Sequence, residues 1–301
     1  LKARAPGKLV LSGAYSVLHG APAIATAVDR YVLADSSRAA EFVTPEVEQA
    51  LGRARAPWFD ASELRQAGQK LGLGSSAAIL VASLAALELE AEASLTRPEL
   101  ARRVLERARR GHQSAQGGGS GIDVFASVLG GTFRFELGEG EPRALTIALP
   151  AGLVLEAFWS GTAASTPRLL GQVRELAGRD PANHERLMGD QAAAAREALD
   201  AVEAGDAAQF VAALDAQGRA LAALGDAASA PIVPDDARSL AALAREVGAT
   251  VLPAGAGGGD IVLYVGLLPS SPGFRDRARE LGHEHLELGF GARGVHDAGI
   301  A

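Results

Sequence analysis

The 301-residue sequence has no cysteine, one methionine, two tryptophans and only three lysines among 29 cationic residues. Without cysteine there is no disulfide, no thiol nucleophile and no cysteine-ligated zinc. No segment approaches the ~20 uninterrupted apolar residues that a spanning helix needs, so no membrane protein is expected. The formal net charge is −7, with no basic run. That balance argues against a nucleic-acid partner, whose binding rests on neutralising many phosphates. The chain opens without an initiator Met and without a basic-then-apolar leader, and the expected location is cytoplasmic. The sequence leaves the oligomeric state open. What it has in quantity is apolar residues, 48%, and 36 glycines. The apolar share is enough for the core of one large or two ordinary domains.

Residues 8–11 and 22–35 are apolar, partly β-branched runs separated by Ser12, Gly13, Gly20 and Pro22, and read as strands joined by tight loops. From Ser75 to about Glu90 an Ala-rich run with Leu80, Leu84 and Leu87 predicts a buried helix. Thr96, Pro98 and Glu99 form a capping box that opens a second helix, which Gly111 is expected to end. A glycine cluster at 117–121 leads into a helix over 122–129 and a strand over 132–137. Residues 138–152 are the candidate domain boundary. Beyond it the pattern predicts a strand at 153–159, helices at 167–176 and 183–203, and a further helix to about Leu224. A linker at 225–234, a helix from Asp235 to Gly248, and strands at 250–252 and 261–265 complete the reading.

Glycine loops that feed helix N-termini make anion sites, because glycine allows close approach and the helix dipole favours negative charge. The segment GLGSSAA at 72–78 has this form, with Ser75 or Ser76 available to cap the helix. Familiar alternatives fail on inspection. GxxxxGK[ST] is absent, since Lys2 and Leu9 occupy required Gly and Ser/Thr positions around Lys8. GAGGGD at 255–260 ends in Asp260 and leads into a strand, unlike a dinucleotide fingerprint. There is no GxSxG elbow. His283 and His285 alternate as strand residues would, but no third ligand of matching spacing accompanies them, and exposed strand histidines are expected.

Three segments in order, APGKLVLSGAYSVLHG at 5–20, KLGLGSSAA at 70–78 and PAGAGGGD at 253–260, resemble the motifs of the GHMP small-molecule kinases. The resemblance spans essentially the whole chain. It implies an α+β protein of the GHMP kinase fold, with a ribosomal S5 domain 2-like N-terminal ATP-binding domain over 1–150 and a ferredoxin-like domain over 151–301. GHQSAQGGGSGIDVFAS at 111–127, WSGTAAST at 159–166 and Asp260 after three glycines are similar to the branch that phosphorylates phosphomevalonate. Branches acting on mevalonate usually carry Glu-His and Asn where this chain has Ala14, Tyr15 and Val124. The decarboxylase branch and a non-catalytic metabolite sensor of the same fold are the other readings.

The resemblance implies ATP and Mg²⁺ as cofactors and phosphomevalonate as the small-molecule partner. Lys8 and Asp123 would be catalytic, the lysine neutralising charge on the transferred group and the aspartate orienting lysine and acceptor. Lys70, Gly72, Leu73, Gly74, Ser75, Ser76 and Ala77 would cradle the nucleotide phosphates, with Ser76 also a metal ligand. Tyr15, His19, Ser165, Thr166, Arg168, Gly255, Ala256, Gly257 and Gly258 would contact the acceptor. His112 stands where mevalonate-acting relatives carry a metal-binding Glu, and imidazole is a poor ligand for hard Mg²⁺. Of the three lysines, Lys8 and Lys70 adjoin the proposed phosphate loops, whereas Lys2 does not.

Overall fold

A computed structural model describes residues 1–52, 55–116, 119–138 and 140–299, and of Gln116 the backbone alone. Gly117 and Gly118 of the glycine cluster lie outside the described residues. In chain order the elements are β1 (Lys2–Ser12), β2 (Ala23–Ala39), α1 (Pro45–Leu51), β3 (Pro57–Asp60), β4 (Arg65–Gln66), β5 (Gln69–Lys70), α2 (Ser75–Ala91), α3 (Arg97–Gln116), α4 (Ile122–Leu129) and β6 (Thr132–Glu136). They continue with β7 (Arg143–Thr146), β8 (Val154–Trp159), α5 (Thr166–Arg179), α6 (Pro181–Ala204), α7 (Ala207–Ala228), α8 (Asp235–Arg245), β9 (Thr250–Pro253), β10 (Ile261–Gly266), α9 (Pro272–Glu280), β11 (Glu284–Leu286) and β12 (His296–Asp297). Single-turn 3₁₀ segments occupy Ser16–His19 and Ser62–Leu64. Among the described residues no helix is long and apolar enough to cross a membrane.

The chain divides into two compact units: Leu1–Leu9, Ala25–Thr132 and Gly289–Ala301 form the first, and Val10–Ile24 and Phe133–Leu288 the second. This differs from a single cut at residue 150, because residues 10–24 group with the second unit and the chain's last stretch with the first.

In the first unit β12, β1 and β2 are neighbours in one sheet, and β3 pairs antiparallel with β2. The helix α2 packs against α1, α3, α4 and β3. Ala, Leu, Val and Ile cover it on all sides, and residues from Ala77 to Ala86 are buried without a break, as a central helix requires. Fully buried Leu80 and Leu84 each contribute about 1.5–3 kcal/mol of transfer free energy. Thr96 opens the following helix as expected, its N–H and Oγ1 both donating to Glu99 Oε2 at 2.9 and 2.7 Å. Gly111, however, does not end α3, which runs on to Gln116. A Cβ there would come within 2.6 Å of Ala50 Cβ, so this glycine lets α3 approach α1 instead of breaking the helix.

In the second unit β11, β8, β10 and β9 form an antiparallel sheet in that order. Phe158, Val262 and Tyr264 of the sheet share a core with Leu169, Leu187, Leu221, Leu240 and Phe274 from the helices. Gly205 in left-handed geometry ends α6, and Asp206 caps the next helix by accepting from Gln209 N–H at 2.9 Å. The expected linker at 225–234 starts too early, since α7 continues to Ala228. Gly225 sits inside it because a Cβ would meet Ala230 O at 2.7 Å.

Candidate functional site

Lys8 lies on β1 and Asp123 in the first turn of α4, both in the first unit. Ser127 Oγ, one turn further along the helix, donates to Pro6 O at 2.8 Å and so ties α4 to the strand carrying the lysine. Lys8 Nζ stands 3.8 Å from Asp123 Oδ2, with the lysine side chain 11% and the aspartate 32% exposed. That is ion-pair range but longer than a hydrogen bond. A buried ammonium is costly without a partner, and Asp123 supplies the compensating charge.

The second glycine loop closes over the same lysine. Gly72 and Gly74 adopt φ of +78° and +75°, and Lys8 N–H donates to Leu73 O at 2.8 Å. A Cβ on Gly7 would meet Leu73 O at 2.8 Å, so strand and loop touch through backbone. The cap of α2 is Gly74, with no side-chain cap hydrogen bond, and Ser75 and Ser76 are the first two helical residues. Neither serine caps the helix, contrary to the expectation. A Gly cap leaves the first-turn N–H groups of Ser75, Ser76 and Ala77 pointing out of the helix end without a side-chain acceptor, where the dipole adds positive potential. Ser75 is buried and Ser76 half-buried. Lys70 is exposed on β5, two residues before Gly72.

The remaining candidates belong to the second unit. Tyr15 is 2% exposed, packs in the core, and donates its hydroxyl to Ala256 O at 2.6 Å. Burial holds its pKa well above the usual phenol value. Its side chain therefore anchors the third glycine loop, with its one proton committed to Ala256 O. His19 is exposed and meets the His184 ring edge-on at 5.7 Å between centroids. Ser165, Thr166 and Arg168 are exposed at the start of α5, where Ser165 is the cap residue.

In the third loop the glycines face different surroundings. A Cβ on Gly255 would meet nothing within 4 Å, whereas one on Gly257 would lie 2.0 Å from Ile232 O and one on Gly258 2.9 Å from Leu169 Cδ1. Gly257 and Gly258 are glycine because the chain itself packs there, so their lack of side chains does not of itself report a ligand.

The histidines follow their own local chemistry. His283 is buried, not exposed, with Nε2 3.0 Å from Asp236 Oδ2, while His285 lies against Phe158 at 5.2 Å between rings. His112 is buried in α3 with Nδ1 lacking a partner. Among the described residues no group of three or more His, Asp or Glu is placed to hold a metal ion.

Residues 56–131, which hold the second glycine loop and Asp123, match the family model for the GHMP kinases N-terminal domain. This stretch makes the chain similar to the GHMP kinases. A phosphomevalonate kinase from Streptomyces sp. is 27% identical across 85% of this chain and 87% of its own length. A mevalonate kinase from Archaeoglobus fulgidus is 28% identical over 60% of this chain and 65% of its own. The structure of a Streptococcus pneumoniae phosphomevalonate kinase, in complex with phosphomevalonate and AMPPNP, superposes with a TM-score of 0.81 at 16% identity, covering 96% of this chain and 99% of that one. The GHMP kinase fold is thereby that of this α+β chain. The Gly74 cap of α2 has little sequence signal, because serines follow it directly.

Proposed function

We propose that this chain is a phosphomevalonate kinase, transferring the γ-phosphoryl group of ATP to the phosphate of phosphomevalonate to give ADP and diphosphomevalonate. The observation that carries the kinase reading is the buried Lys8, paired to Asp123 at 3.8 Å and lying against the loop that ends in the side-chain-free cap of α2. Phosphoryl transfer asks the protein for positioning and positive potential more than for covalent help. The residues present fit a phosphate chain: Gly72 and Gly74 shape the loop, and the first-turn amides with the helix dipole supply positive potential. Lys70, exposed just before the loop, adds a cation.

The donor set fits Mg²⁺ only as an ion brought in with the nucleotide. Ser76, at the start of α2, offers a single oxygen, and the imidazole of His112 is a nitrogen donor that a hard cation does not favour. When bound, the metal would neutralise phosphate charge. Lys8 Nζ, beyond hydrogen-bonding distance of Asp123, has donors to direct at the transferred group. A phosphate monoester has a second pKa near ~6, so at neutral pH its oxygen attacks without surrendering a proton. Asp123 then orients Lys8 and the acceptor instead of acting as a base.

The choice of acceptor is supported by the breadth of similarity to the Streptomyces phosphomevalonate kinase, against the partial match to mevalonate kinases. Ser165, Thr166 and Arg168, exposed at the cap of α5, are its proposed contacts with His19 and the third loop around Gly255. A coupled ADP-release assay with both acceptors is the test. Turnover of phosphomevalonate is expected. Strong turnover of mevalonate with none of its phosphate would replace the reading with mevalonate kinase, carbon dioxide release would identify a decarboxylase, and acceptor binding without ATP turnover would identify a sensor.

A further inference from the structure

Asp260 follows three glycines and has φ +54°, an unusual backbone conformation for a residue with a side chain. Its backbone and side chain both hold the segment after β8. Asp260 N–H donates to Thr162 O at 2.7 Å, Asp260 O accepts from Ser160 N–H at 2.8 Å, and Asp260 Oδ1 accepts from Ala164 N–H at 3.3 Å. The adjoining glycine completes the fit, since a Cβ on Gly259 would lie 2.5 Å from Thr162 O. Ser160, Thr162, Gly258 and Gly259 also border a cavity of about 110 Å³. Asp260 thus clamps residues 160–164 through two backbone bonds and one side-chain bond, and Ser165, Thr166 and Arg168 follow directly along the chain.

The geometry points to Asp260 as a positioning residue that sets the segment 160–168, and hence the acceptor contacts, against the third glycine loop. Backbone strain at a residue with a side chain persists where surrounding bonds over-determine it, and here they do. Asparagine tolerates the left-handed region and retains the side-chain acceptor, whereas glycine tolerates it and has none. The pair therefore separates the clamp from the strain.

This inference rests on the proposed kinase reading. The test compares wild type, Asp260→Gly and Asp260→Asn by steady-state kinetics on whichever acceptor the wild type phosphorylates, and by amide exchange over residues 160–166. For Asp260→Gly, acceptor KM should rise about tenfold while kcat and ATP KM stay within about twofold, with faster exchange at Ala164. Asp260→Asn should match wild type in both readouts. The inference is overturned if Asp260→Gly leaves acceptor KM and Ala164 exchange unchanged, if ATP KM rises in parallel, or if Asp260→Asn behaves like Asp260→Gly. Should the wild type phosphorylate neither acceptor, the kinase reading fails by itself, and unchanged exchange in Asp260→Gly would still sink the clamp while faster exchange would uphold it.

Discussion

The aliphatic stem of Lys8 fills the space into which a side chain on residue 74 would project: a Cβ built on Gly74 would lie 3.1 Å from both Cγ and Cε of the lysine. Glycine is required here twice over, by its φ of +75° and by the lysine beside it. Gly74→Ala should cost about 1–2 kcal/mol from the left-handed backbone. Because the displaced group is the proposed charge-stabilising cation, turnover should fall by about 100-fold, as for a misplacement of about 1 Å. Denaturant titration and kcat measured on one preparation check both, and a variant with normal kcat would separate the glycine from the chemistry.

Lys8 and Asp123 should differ in how much they matter. Lys8→Met removes the cation and should lower kcat by about 10³-fold or more, while Lys2→Met, exposed at the start of β1, should be silent. Asp123→Asn should lower kcat by only about tenfold with acceptor affinity retained, because a dianionic acceptor needs no base. Equal losses in the two lysine variants would undo the assignment of Lys8. An Asp123→Asn enzyme as inactive as Lys8→Met, with acceptor still bound by calorimetry, would restore a base role to the aspartate.

The sequence made α2 and the helices of the second unit legible through apolar spacing and capping residues, and three glycine motifs in order pointed to the fold. Several of its departures from the structure share one cause. Gly111 and Gly225 read locally as breakers, yet each lies inside a helix because another backbone or Cβ comes too close for a side chain. Tyr15 read as a donor beside the acceptor, while the structure has its hydroxyl donating to Ala256 O, and residues 15 and 256 meet only in the fold. The clamp made by Asp260 on residues 160–164 is likewise a backbone approach between distant segments, for which periodicity carries no signal.

The contact of Gly111 with Ala50 predicts a coupled pair. Gly111→Ala gains helix propensity of about 1 kcal/mol but forces a Cβ to within 2.6 Å of Ala50 Cβ, an overpacking that costs about 1–3 kcal/mol. The net effect should be destabilising. Adding Ala50→Gly should recover part of that loss, so the double variant is more stable than the sum of the singles by about 1 kcal/mol. A double-mutant cycle from denaturant midpoints measures the coupling, and strict additivity would show that the helices shift apart at no cost.

The His19–His184 contact predicts the shape of stability against pH. Partial burial, and then the charge of His19, hold the His184 pKa below the ordinary histidine value of 6.5. Burial does the same at His296. With folded pKa values below the unfolded ones, the unfolded chain binds more protons between them. The stabilising contribution is thus full above the unfolded value and is lost as pH falls through that value toward the folded one. The carboxyl of Asp35, held low chiefly by the Ser37 hydroxyl, loses its contribution only in the more acidic carboxylate range, so the two windows separate. His184→Gln should therefore be stabilised relative to wild type at about pH 5 compared with about pH 8, flattening the profile near neutrality. Denaturant midpoints for the two proteins at both pH values decide the matter, and a difference that does not change with pH would remove His184 from the account.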